Sequence, residues 1–278
     1  MTLQSSQIAD LYRAACLAEL DALKVGNVHA YAAGHRMEVR DFARSAEVSA
    51  EGLARAGAGI GARVLAGVAA TRAAVGQNTN LGILLLCAPL AKAAERGITL
   101  AQALDSLGPE EASDVFAAIR LASPGGLGQA ARHDVTDESA PLPPLADAMA
   151  EAAPRDRIAR AYVTGFADVR AIGLPALDAA RAAGLDAPWC ASAVHLAYLS
   201  AVPDSHILRK HGAAVAEEIR AQAARLRERV DMAAKPVADL LAFDAALKER
   251  GINPGTSADF TVATLFYHAL VMAGAGLA

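Results

Sequence analysis

The chain has 278 residues, of which 54% are hydrophobic but only 4% aromatic, with 26 basic against 30 acidic residues and a formal net charge of −4. A single core can fill that length, so one domain over 1–278 is expected, built mainly from alanine, leucine and valine. Interspersed charges of nearly balanced sign give no long-range field for gathering nucleic acid or anionic lipid, so neither is an expected partner.

Cys16, Cys87 and Cys190 are odd in number and far apart, which matches neither a disulfide framework nor a zinc site. With no basic-then-apolar leader at the start, the expected location is a reducing cytoplasm.

Apolar positions recur at helical spacing almost throughout, while alternating runs of β-branched residues are absent, which predicts an all-α fold. Alanine at this density favours helix and lets helices approach closely. The predicted helices are 6–23, 38–55, 59–75, 80–95, 98–105, 109–121, 143–151, 154–171, 174–183, 187–201, 206–245 with a break near Pro236, and 257–275. The stretch from Phe260 to Ala278, most of it in the last of these, carries no formally charged side chain and nearly has the length of a membrane span. Thr261, Thr264, Tyr267 and the glycines Gly274 and Gly276, with no flanking basic residues, predict a buried helix there.

Residues 122–145 are predicted to be irregular, because Pro124, Gly125, Gly126 and Gly128 are followed by Pro141, Pro143 and Pro144. Such a stretch is either a surface connector or a substrate lid, and it holds Arg132, His133 and Asp134. Arg155, Asp156 and Arg157 open the next helix and read as salt-bridged surface.

Four polar clusters interrupt the apolar chain. In the first, Lys24-Val25-Gly26-Asn27-Val28-His29, glycine allows a turn, lysine offers charge to a phosphate and histidine offers a titratable nitrogen; a plain helix C-cap is the alternative. The second, Gly76-Gln77-Asn78-Thr79-Asn80-Leu81-Gly82, leads into the apolar run Ile83 to Cys87. Three nearby amide side chains exceed what one cap needs, and together with free backbone amides they suit triphosphate oxygens or ribose hydroxyls.

The third cluster, Asp204-Ser205-His206 with Arg209, Lys210 and His211, sets a capping carboxylate ahead of cations, a composition for magnesium and phosphate or for a solvated helix start. The fourth, Asn253-Pro254-Gly255-Thr256-Ser257-Ala258-Asp259, opens the C-terminal helix with Ser257 and Asp259 in its first turn, again an anion site or an acidic cap.

Taken in order, these clusters resemble the landmarks of the triphosphoribosyl-dephospho-CoA synthase family. Residues 24–29 are similar to its Lys-Pro-Gly-Leu-Val-Asp, with Met37, Asp41, Phe42 and Ser45 following; residues 78–82 resemble its Asn-Thr-His-Lys-Gly. Asp204-Ser205-His206 resembles its Asp-Thr-Asn, and residues 254–259 its Pro-Gly-Gly-Ser-Ala-Asp.

The resemblance implies an all-helical enzyme in which the 2′-hydroxyl of dephospho-CoA attacks the ribose C1′ of ATP, adenine departs, and magnesium accompanies the triphosphate. That chemistry needs a proton donor for the base and an acceptor for the hydroxyl. On this resemblance Lys24, Gly26, Asn78, Thr79, Asn80, Gly82, Arg209, Gly255 and Ser257 are expected to hold the nucleotide, and His29, Asp204, His206 and Asp259 to carry the chemistry. Asp204, Asp259 and Asp134 are the expected magnesium carboxylates.

The chain departs from the pattern in three places. Ser123 to Gly128 and then His133-Asp134-Val135 stand where the family has Arg-Gly-Glu-Ala and a Gly-Phe-Pro turn; His29 replaces an acid; and Asn80-Leu81 replace a histidine and a lysine. The departures resemble a branch tied to tetrahydromethanopterin- or methanofuran-dependent one-carbon metabolism, so an intermediate of that pathway is an alternative acceptor. Phosphoryl or adenylyl transfer, or a non-catalytic nucleotide-binding protein, are the further alternatives, and an alanine-rich helical surface suits a homodimer.

Overall fold

A computed structural model of the chain describes residues 1–29, 39–125, 134–137 and 141–277. Among these residues there is no strand, and the helices are α1 (Ser5–Asp21), α2 (Val39–Leu53), α3 (Ile60–Val75), α4 (Leu81–Arg96), α5 (Leu100–Leu104), α6 (Pro109–Ala122) and α7 (Leu145–Ala152). They continue with α8 (Arg157–Thr164), α9 (Leu174–Ala182), α10 (Ala187–Ala201), α11 (Ser205–His211), α12 (Ala213–Arg229), α13 (Val237–Glu249) and α14 (Gly255–Met272). The all-α expectation is borne out.

Two predicted helices are broken. The one over 154–171 stops at Gly165, whose φ of +58° makes a left-handed cap, and Phe166 follows at φ +63°. A short π-helix, Val169–Gly173, then leads into α9. The long helix predicted over 206–245 has its expected break, through Val230 to Pro236, and a further one at Gly212, where φ is +87°. The two unexpected breaks, at Gly165 and Gly212, each come at a glycine that adopts a backbone region closed to most residues.

The chain divides into two compact units. One comprises Met1–Ala14, Arg44–Phe166 and Phe266–Ala278. In it α3 packs against α4 and α6, and small residues set the spacing: a Cβ on Gly61 would lie 2.5 Å from the Glu111 carbonyl oxygen, and one on Gly52 2.8 Å from the Gly67 amide nitrogen. Arg63 is buried here, ion-paired to Glu95 and donating to the Leu53 and Ala58 carbonyls at 2.7 and 3.1 Å.

The other unit comprises Ala15–Ala43 and Ala167–Leu265. Its core gathers Leu23, Val25, Trp189, Leu196, Ile219, Leu240 and Leu247, with α10 packed on α9 and α12. No helix among the described residues is long and apolar enough to cross a membrane. The C-terminal helix buries Phe260, Val262, Phe266 and Leu270, as its composition predicts.

Candidate functional site

In the second unit, α1 gives way at Asp21 to the turn that carries Lys24 to His29. Gly26 sits at φ +78°, and a Cβ there would lie 2.8 Å from both Leu247 and Pro254, so conformation and space both demand glycine. Its amide donates to Asp244 Oδ1 at 2.8 Å. Lys24 is only 1% exposed and ends in an ion pair with Glu19. Burial pulls the lysine's pKa down and the glutamate's up, and the attraction between the two opposes both shifts.

His29 is fully buried. Its Nε2 lies 3.3 Å from Asp244 Oδ1 and 3.3 Å from Lys248 Nζ, while Lys248 Nζ reaches Asp244 Oδ2 at 3.0 Å. Burial alone would raise the pKa of Asp244, but the bonds from His29, Lys248 and the Gly26 amide outweigh it and hold the carboxyl below its ordinary value. Beside this group, Asn27 donates to Asn253 Oδ1 at 2.9 Å. His195 on α10 places Nε2 3.3 Å from the Val25 carbonyl, its Nδ1 has no partner among the described residues, and burial pulls its pKa down to about 3, so the ring is neutral.

The α11 and α14 motifs meet in the same unit. Asp204 caps α11 as predicted, with Oδ1 accepting the amides of His206 and Ile207 at 2.8 and 3.1 Å. Its other oxygen accepts both the amide and the hydroxyl of Ser257, at 2.7 and 2.8 Å. Four donors therefore occupy a carboxylate that is 2% exposed. The His206 amide also approaches Thr256 Oγ1 at 3.2 Å, and a Cβ on Gly255 would stand 2.6 Å from His206 Nδ1, so the imidazole lies directly over that glycine.

The amide cluster at residues 78–80 belongs to the first unit. Asn78 Oδ1 caps α4 by accepting the Leu81 amide at 3.2 Å, and the hydroxyls of Thr79 and Ser45 are 2.5 Å apart. Asn80 turns inward, donating to Ser49 Oγ at 3.2 Å and Thr71 Oγ1 at 3.0 Å, and Tyr12 completes the buried network through Ser49 at 3.1 Å.

Three of the four sequence clusters are thus tied together within one unit: the 24–29 loop to Asn253 and Pro254, and Asp204-Ser205-His206 to Thr256 and Ser257. The amide cluster at 76–82 is described within the other unit, as is Asp134, whose Oδ1 accepts from the Thr136 amide and hydroxyl at 2.8 and 2.7 Å. Arg209 is half-buried on α11 and Asp259 half-buried on α14. Met37, Gly126, Gly128, Arg132 and His133 lie outside the described residues.

Among the described residues no group of three or more His, Cys, Asp or Glu side chains is placed to hold a metal ion. Sequence reasoning missed Glu19, Asp244, Lys248 and His195. Asp244 and Lys248 stand four apart, a helical ion-pair spacing, but the predicted helix stopped at 245 and separated them.

The family model described as ATP:dephospho-CoA triphosphoribosyl transferase matches residues 5–276. Among solved structures, the chain is similar to a candidate triphosphoribosyl-dephospho-CoA synthase from Archaeoglobus fulgidus, with 22% identity and a TM-score of 0.63 over 81% of this chain and 96% of that one. No curated protein matches it.

Proposed function

Given that this chain belongs to the ATP:dephospho-CoA triphosphoribosyl transferase family and moves the triphosphoribosyl group of ATP to dephospho-CoA, we infer that the polar cluster of its second unit carries that transfer. The observation in support is the convergence of residues 24–29, 204–206 and 253–259 on shared hydrogen bonds, although about two hundred residues of sequence separate the first from the others.

In this reading the acceptor oxygen forms its bond to C1′ as the bond from C1′ to adenine breaks, and the electron pair of that bond leaves with the base. His29 takes the hydroxyl proton and His206 supplies one to adenine. Burial of His29 keeps water from competing for a carbon with oxocarbenium character.

Asp204 is assigned a positioning role, because all its acceptor directions are engaged in joining α11 to α14. Ser257 shares that role, so its amide and hydroxyl are not assigned to phosphate. Lys24 anchors the loop through Glu19. In the first unit Asn78 caps α4, Thr79 bonds Ser45, and Asn80 is assigned to the interior.

Magnesium fits these residues only as an ion that arrives with the triphosphate. Magnesium usually keeps several waters and takes one or two carboxylates besides phosphate oxygens. Asp259, half-buried on α14 beside the Ser257 that meets Asp204, is the carboxylate proposed here. Bound there, the ion would neutralise charge on the triphosphate and orient it.

The test is product analysis with ATP, magnesium and dephospho-CoA. Free adenine in equal amount to triphosphoribosyl-dephospho-CoA is expected, and release of ADP or AMP instead would overturn the reading.

A further inference from the structure

We propose that Asp244 is a positioning residue that fixes the imidazole of His29 with its proton on Nε2, leaving Nδ1 as the ring's proton-accepting atom. The use made of that atom rests on the transfer reading above; the placement of the proton does not.

One buried carboxylate gathers three groups. Oδ1 accepts the Gly26 amide at 2.8 Å and faces His29 Nε2 at 3.3 Å, and Oδ2 accepts Lys248 Nζ at 3.0 Å. An ionised carboxylate only accepts, so a ring nitrogen turned to it is favourable when it carries hydrogen and repulsive when it presents a lone pair. Lys248 Nζ also lies 3.3 Å from Nε2 and competes for that lone pair, but the shorter contact to Oδ2 already gives the ammonium an anionic partner. Since Gly26 belongs to the same loop as His29, the carboxylate orients the ring and its backbone together.

The charges around the ring divide the work. Asp244 stabilises the imidazolium that forms when Nδ1 takes a proton, and Lys248 disfavours it, so the ring is able to give the proton up again. Lys24 is balanced by Glu19 on α1, and His195 on α10 is neutral. The carboxylate that holds the histidine therefore comes from α13, more than two hundred residues along the chain.

The experiment uses the full chain labelled with 15N in its histidine rings, with the His29 signals assigned by their loss in H29Q. The wild-type ring is expected to show the Nε2-protonated pattern. In D244N an amide has to serve three donors, so its NH2 is turned toward Nε2 or Lys248. The ring then shifts toward the Nδ1-protonated form and kcat for adenine release falls on the order of 10²-fold, with KM for ATP little changed. In K248M the Nε2-protonated pattern persists.

A wild-type ring protonated on Nδ1 overturns the proposal without recourse to any variant, which matters because Asp244 also holds the Gly26 amide. An unchanged ring pattern in folded D244N overturns it as well, and a shifted pattern with an unchanged kcat removes Asp244 from the reaction. Failure of the wild type to release adenine would sink the transfer reading instead, while the ring spectra still decide the proton's position.

Discussion

Asp204 and Ser257 form a two-point clasp, in which one carboxylate oxygen receives the serine's amide at 2.7 Å and its hydroxyl at 2.8 Å. The other oxygen of the same group caps α11, so a single side chain joins the start of α11 to the first turn of α14 through a residue 53 positions away.

The clasp gives an ordered set of stabilities. D204A leaves buried amides without acceptors and is expected to cost about 3–4 kcal/mol. D204N keeps one acceptor oxygen but turns a donor toward another donor, and falls between. S257A loses only the hydroxyl bond, about 1 kcal/mol. Urea unfolding of the three variants checks the order, and equal losses for S257A and D204A would refute the clasp.

The pair of Lys24 and Glu19 is nearly sealed from solvent, at 1% and 5% exposure. E19A strands a buried ammonium and is expected to destabilise by about 3–5 kcal/mol, whereas the double change E19L with K24M restores most of the loss. With Lys24 anchoring the loop through Glu19, the double variant is expected to keep wild-type affinity for ATP in calorimetry. Binding at least tenfold weaker in that variant would make Lys24 a phosphate contact.

What the sequence disclosed follows from the range of each signal. Helix starts are local, so the cap at Asp204 was legible. The start of α14 was placed two residues late: it begins at Gly255, which carries Asp259 past the first turn where an acidic cap was expected. The apolar C-terminal run was legible too, because it lacked the flanking charge a membrane span needs. Partners distant in sequence leave no local mark: nothing around Asp244 announces His29. Glu19 and Lys24 are only five residues apart, but the end of α1 falls between them, so no helical spacing marks the pair. Asn80 shows the opposite difficulty. Three amides in a row read as one ligand cluster, yet the structure sends the third into a core of hydroxyls that α2 and α3 supply.

That inward turn makes Asn80 separable from its neighbours. N80A leaves Ser49 and Thr71 with unmet hydrogen-bonding capacity in a buried setting, so a loss of about 1–3 kcal/mol in stability is expected. The kcat for adenine release per folded molecule is expected to hold. N78A gives up the side-chain cap on α4 and is expected to cost about 1 kcal/mol. A raised KM for ATP in N80A would return Asn80 to the substrate contacts.

His195 supplies a pH dependence whose sign is fixed by its burial. An exposed histidine takes up a proton near its ordinary value of 6.5, while burial pulls this one down to about 3. Above 6.5 both the folded and unfolded chains carry a neutral ring, so its contribution to stability is fully present there. As pH falls from 6.5 toward 3 the unfolded chain gains a proton that the folded chain refuses, and stability is lost through that window. At pH 5 the loss from this group is about 2 kcal/mol. H195Q keeps a donor for the Val25 carbonyl but cannot titrate, so its stability should fall less between pH 7.5 and pH 5 than that of the wild type. Urea unfolding at the two pH values gives the comparison, and parallel losses in both proteins would mean that the ring is protonated in the folded state.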